Sequence, residues 1–221
     1  MVGELPRGAG QGHSYLVADF SQPESVGRAL GMDGPTRSGG PPMPIHILVN
    51  NTGGPKGGPA LAASPEEYLA AFRMHVVCGQ MLVQAVAPGM KAAGFGRIVN
   101  IISTSVKAPI PDLGVSNTIR AAVANWAKTL AGELGPFGIT VNNVLPGFTD
   151  TARLGALFKA KADRTGKTVD QVTAEAVATI PAKRLGRPEE IAAAVAFLCS
   201  PAAGYINGIN VPVDGGRTQG L

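Results

Sequence analysis

The chain has 221 residues, of which 45% are hydrophobic and 15% charged, and its formal net charge is +4. This length suits one hydrophobic core, so we predict a single domain over residues 1–221. The apolar content excludes a disordered chain. Because the basic residues form no block of five or six like charges, the charge balance predicts a solvated surface and no nucleic-acid partner.

The cysteines and histidines show no metal-binding or disulfide pattern. Cys78 and Cys199 lie in apolar stretches without paired spacing, and His13, His46 and His75 are far apart. A reduced, cytoplasmic chain without a metal site fits this usage. No uninterrupted apolar run reaches the length of a membrane span, and the first residues lack a signal-peptide pattern. We therefore expect no membrane association.

Short apolar runs bounded by polar or turn-forming residues predict strands. Several of them are apolar on both faces, which is typical of parallel strands covered by helices on each side. The five predicted strands are Tyr15–Ala18, Ile45–Val49, Arg97–Ile102, Ile139–Leu145 and Ile209–Val213.

Helix start signals fall between these runs. A capping box with proline at the first helical position begins at Ser64 and predicts a helix to about Val86. An apolar stripe predicts a helix over Asn117–Leu134, and Pro188 opens another that includes Ile191–Leu198. A shorter helix is expected after Ser21. Alternating strands and helices predict an α/β parallel sheet with right-handed crossovers.

Two stretches interrupt the alternation. Residues 31–44 are rich in glycine and proline, which predicts an exposed connection. Residues 150–183 follow a predicted strand and contain helical segments, in the place where open α/β sheets bind ligands. We interpret this insertion as a substrate lid, with an ordinary surface helical pair as the alternative.

Two glycine-rich stretches are candidates for a phosphate-binding loop. Such a loop must follow a strand and begin a helix. Residues 52–59 offer T-G-x-x-x-G, but Pro59 replaces the third glycine and Pro55 removes a donor. We interpret them as a turn. Residues 8–12 follow no predicted strand, so we interpret them as an amino-terminal connection.

Four motifs, in order along the chain, resemble the short-chain dehydrogenase/reductase family. Asn50-Asn51-Thr52-Gly53 resembles its Asn-Asn-Ala-Gly motif, and Gly96–Ser103 its serine-bearing strand. Pro146-Gly147 with Thr151 resembles its nicotinamide-side loop. The stretch Arg184–Gly216 resembles the carboxyl-terminal signature of the family almost residue for residue.

The resemblance implies a Rossmann-type doubly wound parallel sheet in a homodimer or homotetramer. It also implies hydride transfer between NAD or NADP and a small-molecule carbonyl or alcohol substrate. Position by position, the cofactor-binding residues that it implies are Asp19 at the adenine, Asn51 and Gly53 at the ribose, Arg120 at a ribose hydroxyl, and Pro146, Gly147 and Thr151 near the nicotinamide.

The catalytic tetrad of the family (Asn, Ser, Tyr and Lys) maps onto His75, Ser103, Ser116 and Arg120, so only the serine is kept. A phenol can be tuned from a pKa of about 10 toward neutrality, whereas a serine hydroxyl is far less acidic. Arg120 can hold a ribose hydroxyl or a carboxylate but stays protonated. His75 either replaces the tyrosine as acid and base or packs as a helix histidine at a subunit contact.

The family places a βαβ unit with T-G-x-x-x-G-x-G before the segment that Leu16–Asp19 resembles. Such a unit needs roughly 30 residues, and only about fourteen precede this segment. We therefore expect a fold that lacks the first βαβ unit. The strand that contains Leu16 then either pairs directly with the strand at Ile45–Val49, or another copy of the chain covers the exposed edge.

Two functions follow from these observations. Kinship favours an oxidoreductase in which Ser103 polarises the substrate. The replaced tetrad residues favour a catalytically silent scaffold or binding protein with the same fold. A serine hydrolase triad is excluded, because no acidic orienting residue or nucleophile elbow accompanies Ser103, Ser116 and His75.

Overall fold

A computed structural model describes residues 16–30 and 45–219 of the chain. Four parallel strands form one sheet in sequential order. Alternate residues of the central strands face opposite sides, so that Ile98 and Val141 pack on one face and Val99 and Val144 on the other. The strands are β1 (Ile47–Asn50), β2 (Gly96–Ile101), β3 (Ile139–Pro146) and β4 (Asn210–Val213).

Helices cover both faces of this sheet. Helices α3 and α4 pack on one face, and α7 packs on the other. This arrangement confirms the predicted Rossmann-type doubly wound fold. The helices are α1 (Pro23–Leu30), α2 (Pro65–Phe72), α3 (Cys78–Ala93), α4 (Gly114–Leu134), α5 (Ala152–Thr165), α6 (Val169–Ala178) and α7 (Pro188–Cys199).

The helix that begins after Ser64 is longer than predicted. Ser64 forms the expected capping box with Glu67, but the helix continues past Pro88 and ends at Gly94, whose φ of 62° is left-handed. Proline costs this helix one hydrogen bond. Val86 and Met90, on either side of the proline, are buried, and this burial favours continuation of the helix past Pro88.

A π-helical turn, Arg73–Val77, joins α2 to α3 without a break. The resulting helix, Pro65–Ala93, has 29 residues, and its most apolar window has a mean hydropathy of 1.3. By length and composition it could cross a membrane, but the core helix of a soluble protein passes the same test. Val83, Val86 and Met90 are buried in the main hydrophobic core, so the helix does not indicate a membrane protein.

The predicted strand at Tyr15–Ala18 is wrong in its described part. Tyr15 lies outside the described residues, and residues 16–18 are not in a strand. Leu16 and Val17 are 60% and 74% exposed. An apolar run does not form a sheet strand unless a neighbouring strand pairs with its backbone hydrogen-bonding groups. Direct pairing with β1 is therefore wrong as well. Within the described ranges β1 pairs only with β2, and coverage of its edge by another copy stays a prediction.

The insertion at residues 150–183 contains α5 and α6, as its helical pattern predicts. Leu154 and Phe158 of α5 pack against Val172 and Ala176 of α6 in a small separate core. The connection at residues 31–44 and the glycines at residues 8–12 lie outside the described residues.

A ladder of asparagine side chains crosses all four strands. Asn50, Asn100, Asn143 and Asn210 occupy the same register position. Asn50 donates to Asn100 (2.8 Å), Asn100 to Asn143 (2.9 Å) and Asn143 to Asn210 (2.8 Å). Buried amides cost stability unless they are paired, so this ladder helps to fix the register of the four strands.

Substitution Asn100→Ala tests the ladder. It leaves the Asn143 carbonyl oxygen and the Asn50 amide group without their partners in the sheet interior. We expect the free energy of unfolding, measured by chemical denaturation, to fall by about 2–4 kcal/mol. Asn125→Ala, at an exposed position of α4, is the control and should change stability by less than about 0.5 kcal/mol. Equal effects of the two substitutions would contradict a structural role for the ladder.

Candidate active site

A cleft of about 860 Å³ lies where the parallel strands end. Residues after β1, β2 and β3 form its floor, and α4, α5 and α7 supply its walls. Open parallel sheets bind their ligands at this edge. A cleft of this size accommodates a small-molecule ligand.

The fold brings most of the predicted site residues to this cleft. Eight of them line it: Asn51, Gly53, Ser103, Ser116, Arg120, Pro146, Gly147 and Thr151. His75 lines a small adjacent cavity. Asp19 lines neither of these two spaces.

Two serines line the cleft, one after β2 and one in α4. Ser103 follows β2, and its Oγ accepts a hydrogen bond from the Ser105 backbone N–H at 3.1 Å. This bond occupies an oxygen lone pair and leaves the hydroxyl hydrogen free to donate. Ser116 is the third residue of α4 and is half-buried. Both hydroxyls can therefore form hydrogen bonds with a ligand in the cleft.

Arg120 is buried between the cleft and the small cavity, with 8% of its surface exposed. Its guanidinium donates to the carbonyl oxygens of Ile101 (2.9 Å) and Thr52 (3.5 Å). It forms no salt bridge within residues 16–30 and 45–219. Burial, and secondly the charge of Arg153, lower its pKa to about 10. Arg120 is therefore a buried cation at neutral pH with donors to spare.

His75 lies in the π-helical turn and is also buried. Its Nδ1 atom forms a hydrogen bond with the Thr52 hydroxyl, whereas Nε2 has no protein partner among the described residues. Burial, and secondly the positive charge of Arg120, lower the pKa of His75 to about 4. The imidazole is therefore neutral at physiological pH.

The small cavity beside His75 has both polar and apolar walls and a volume of about 10 Å³, enough for one water molecule. Asn50, Asn100 and Arg120 also line it. The Oδ1 atom of Asn50, like Nε2 of His75, is buried without a hydrogen-bond partner in the described structure. The cavity thus joins the first amides of the asparagine ladder to the floor of the cleft.

The loop after β3 depends on a close approach of two backbones. A Cβ atom on Gly147 would lie 2.6 Å from the Cβ of Asp214, so only glycine fits there. Thr151 caps α5 by accepting a hydrogen bond from the Leu154 N–H. On the other side of the cleft, a side chain at Gly53 would meet no atom within 4 Å, so the chain leaves space for a ligand there.

Asp19 has a local structural role in this structure. Its Oδ1 accepts hydrogen bonds from the backbone N–H (2.9 Å) and hydroxyl (2.7 Å) of Ser21. These bonds lower the pKa of the carboxyl group. They hold the turn that leads into α1, so the adenine contact expected of Asp19 stays a prediction.

The prediction that residues 52–59 do not open a helix is confirmed. A short 3₁₀ turn at Ala60–Ala62 and then α2 at Pro65 follow these residues. Gly58 instead pairs with the segment before α4 through its N–H to the Asp112 carbonyl oxygen (2.7 Å). Sequence reasoning missed Arg153 and Arg217, which also line the cleft, because nothing in the sequence pattern shows where their side chains point.

Comparisons with known proteins agree with this architecture. The sequence model of the family described as enoyl-(acyl carrier protein) reductase matches residues 11–218. The chain is 37% identical over 175 residues to the short-chain reductase protein NovJ of Streptomyces niveus, covering 78% of this chain and 64% of that protein. It is 36% identical over 174 residues to the 3-oxoacyl-[acyl-carrier-protein] reductase FabG of Vibrio cholerae, covering 78% and 66%. The chain thus spans less than two thirds of either relative.

Solved structures show the same fold. The L-sorbose reductase of Gluconobacter frateurii, complexed with NADPH and L-sorbose, superposes with a TM-score of 0.81 at 29% identity, over 93% of this chain and 77% of that one. YwfH, an NADPH-dependent reductase involved in bacilysin biosynthesis, also gives a TM-score of 0.81, at 27% identity, over 92% and 77% of the two chains. These matches show that the chain belongs to the short-chain dehydrogenase/reductase family.

Proposed function

We propose that this chain provides an oxidoreductase site that transfers a hydride between NAD(P)(H) and a small-molecule carbonyl or alcohol. The observation that carries the proposal is the buried Arg120 guanidinium, which stands at the lysine position of the family. It has more N–H groups than the two carbonyl acceptors that it reaches in the described structure. A buried cation with spare donors is stabilised by a ligand that brings hydroxyl or anionic oxygens.

The residues present fit the nicotinamide and ribose half of the cofactor. Space lies open at Gly53, and Arg120 offers donors to a ribose hydroxyl or to a substrate anion. Pro146, Gly147 and Thr151 line the opposite side of the cleft, where the family binds the nicotinamide. When bound, the nicotinamide would supply or accept the hydride.

Ser103 is the residue that would polarise the substrate. Its oxygen is held by the Ser105 N–H, and its hydrogen can donate to the substrate oxygen on which negative charge develops. A positioned donor of this kind stabilises the transition state because it needs no reorganisation during the reaction. Ser116 can add a second hydrogen bond from α4.

Proton transfer is the step for which the cleft is poorly equipped. Among the described residues that line it, arginines are the only ionisable ones, and they stay protonated at neutral pH. His75 is neutral and faces the small cavity, so we do not assign it the acid and base role. The proton must then come from solvent, and we expect slow turnover.

A second candidate function is a binding protein that holds a ligand without turning it over. The absence of a phenol, carboxyl or imidazole from the described cleft lining favours it. For either function we keep as predictions a cytoplasmic location, a homodimer or homotetramer, and a lid role for α5 and α6.

Two experiments together test the proposed function: titration with the cofactor, and the introduction of a tyrosine at position 116, where the family has its tyrosine. Purified protein should enhance NADPH or NADH fluorescence at micromolar to millimolar cofactor, and a panel of small ketones and aldehydes should reveal slow cofactor oxidation. Ser116→Tyr should raise that turnover, because a well-placed general acid contributes about 10²–10⁴-fold.

Ser116→Phe is the matched control, since it adds the same ring without the hydroxyl. It should bind cofactor without raising turnover. Binding without turnover in both the wild type and Ser116→Tyr would support the binding protein instead. No cofactor binding at millimolar concentration would contradict the oxidoreductase.

The low pKa of His75 predicts a pH-dependent stability. The unfolded imidazole titrates near 6.5 and the folded one near 4, so the unfolded state binds more protons between these values and stability falls as the pH drops through them. The loss is about 2–3 kcal/mol. Other groups titrate in this range, so the measurement is the difference between the wild type and His75→Asn in denaturant melts from pH 7 to pH 4. Parallel curves for the two proteins would show that His75 titrates normally.

A further inference from the structure

The charges around the cleft are one-sided. Its lining contains Arg120, Arg153 and Arg217 but no aspartate or glutamate among the described residues. Arg217 is already engaged, since it stacks on Phe148 with 4.4 Å between its guanidinium carbon and the ring centre, and it donates to the Thr179 hydroxyl at 3.2 Å. Arg120 and Arg153 therefore carry the positive charge that faces the open space.

Three carboxylates that adjoin lining residues of the cleft have other partners. Asp112 pairs with Arg164 at 2.8 Å, and Glu190 pairs with Arg184 at 2.6 Å. Asp214 accepts hydrogen bonds from the backbone N–H groups of residues 216 and 218. These three side chains do not line the cleft, and no carboxylate of residues 16–30 and 45–219 forms a salt bridge with Arg120 or Arg153.

Arg153 is held close to the site by the loop after β1. It is the second residue of α5, and one of its guanidinium nitrogens donates to the Pro55 carbonyl oxygen at 2.5 Å. The same nitrogen lies 3.0 Å from where a Cβ atom on Gly54 would stand. Arg153 is near enough for its charge to lower the pKa of Arg120. The two cations repel each other, and an anion between them would relieve that repulsion.

The start of α5 adds to this positive region. Thr151 caps the helix, and its first turn contains no acidic residue. The partial positive charge of a helix amino terminus favours anions. The buried, incompletely partnered Arg120 is an independent observation at the same place, and it also calls for acceptor oxygens.

We propose that the substrate of this site carries a carboxylate or a phosphate near the carbonyl or alcohol that reacts, and that Arg153 binds this group with support from Arg120. Arg153 is thus a specificity-determining residue. That the bound anion is a substrate rests on the proposed oxidoreductase function. The anion site itself does not depend on turnover. The phosphates of the cofactor are the other source of the same chemistry, and the experiment separates the two sources.

The test compares charged compounds with neutral counterparts by isothermal titration at low salt. The pairs are 3-hydroxybutyrate with its methyl ester and glycerol 3-phosphate with glycerol. We expect the wild type to bind at least one anion about tenfold more tightly than its neutral counterpart, as a charge-assisted hydrogen bond would give. Arg153→Gln should reduce this preference to less than about threefold, and Arg153→Lys should keep part of it.

Lys159→Gln is the matched control, because it removes the same charge from an exposed position of the same helix outside the cleft lining. It should leave the preference unchanged. The proposal is overturned if acid and ester bind equally, if neither anion binds at millimolar concentration, or if both substitutions act alike.

Cofactor titration of the same variants identifies the source of the anion. If Arg153→Gln weakens NADPH binding while the preference for the anionic compounds is unchanged, Arg153 serves the dinucleotide and the proposal is overturned. If the preference depends on Arg153 and no carbonyl compound is turned over, the oxidoreductase fails while the anion site stands.

Discussion

A positive charge buried at the end of a parallel sheet organises the functional edge of this protein. The Arg120 guanidinium reaches from α4 to carbonyl oxygens that follow β1 and β2. It lies between the small cavity and the cleft, and its charge adds to burial, the larger cause, in lowering the pKa of His75. Burying a cation without a carboxylate partner is unfavourable in itself. A ligand that brings hydroxyl or anionic oxygens into the cleft would offset this cost by accepting hydrogen bonds from the guanidinium.

The scaffold beneath this charge is held by polar contacts as well as by apolar packing. The asparagine ladder ties the four strands together, and its free end at Asn50 faces the cavity with His75. On the same side of the sheet Trp126 packs close to Gly79 and donates to Gln80 at 2.8 Å. Strand register, cavity and cleft floor therefore depend on one continuous packed region.

Much of the fold could be predicted from the sequence, because long apolar runs and capping signals act locally. The strand that begins at Ile139 and the capping box at Ser64 are found where they were expected. The predicted strand at Tyr15–Ala18 was wrong over residues 16–18, because pairing depends on a neighbour that an apolar run does not reveal. The predicted end of the helix near Val86 was wrong, because the burial of Met90 outweighs the proline.

The site was less predictable than the fold. Family motifs located Ser103, Ser116 and Arg120, but the neutral state of His75 results from burial and from a charge on another helix. Arg153 was missed because its role depends on the direction of its side chain. Asn50, Asn100, Asn143 and Asn210 are visible in the sequence within or next to the predicted strands, but their shared register becomes visible only once the strands are paired.

The most direct measurement is the stability of Arg120→Met with and without NADPH. If the guanidinium is there for the ligand, the free variant should unfold within about 1 kcal/mol of the free wild type, because removal of an uncompensated buried charge offsets the lost hydrogen bonds. The stabilisation by NADPH that we expect for the wild type should be lost in the variant. A free variant destabilised by more than about 3 kcal/mol, yet still stabilised by NADPH as the wild type is, would make Arg120 a structural residue and contradict this account.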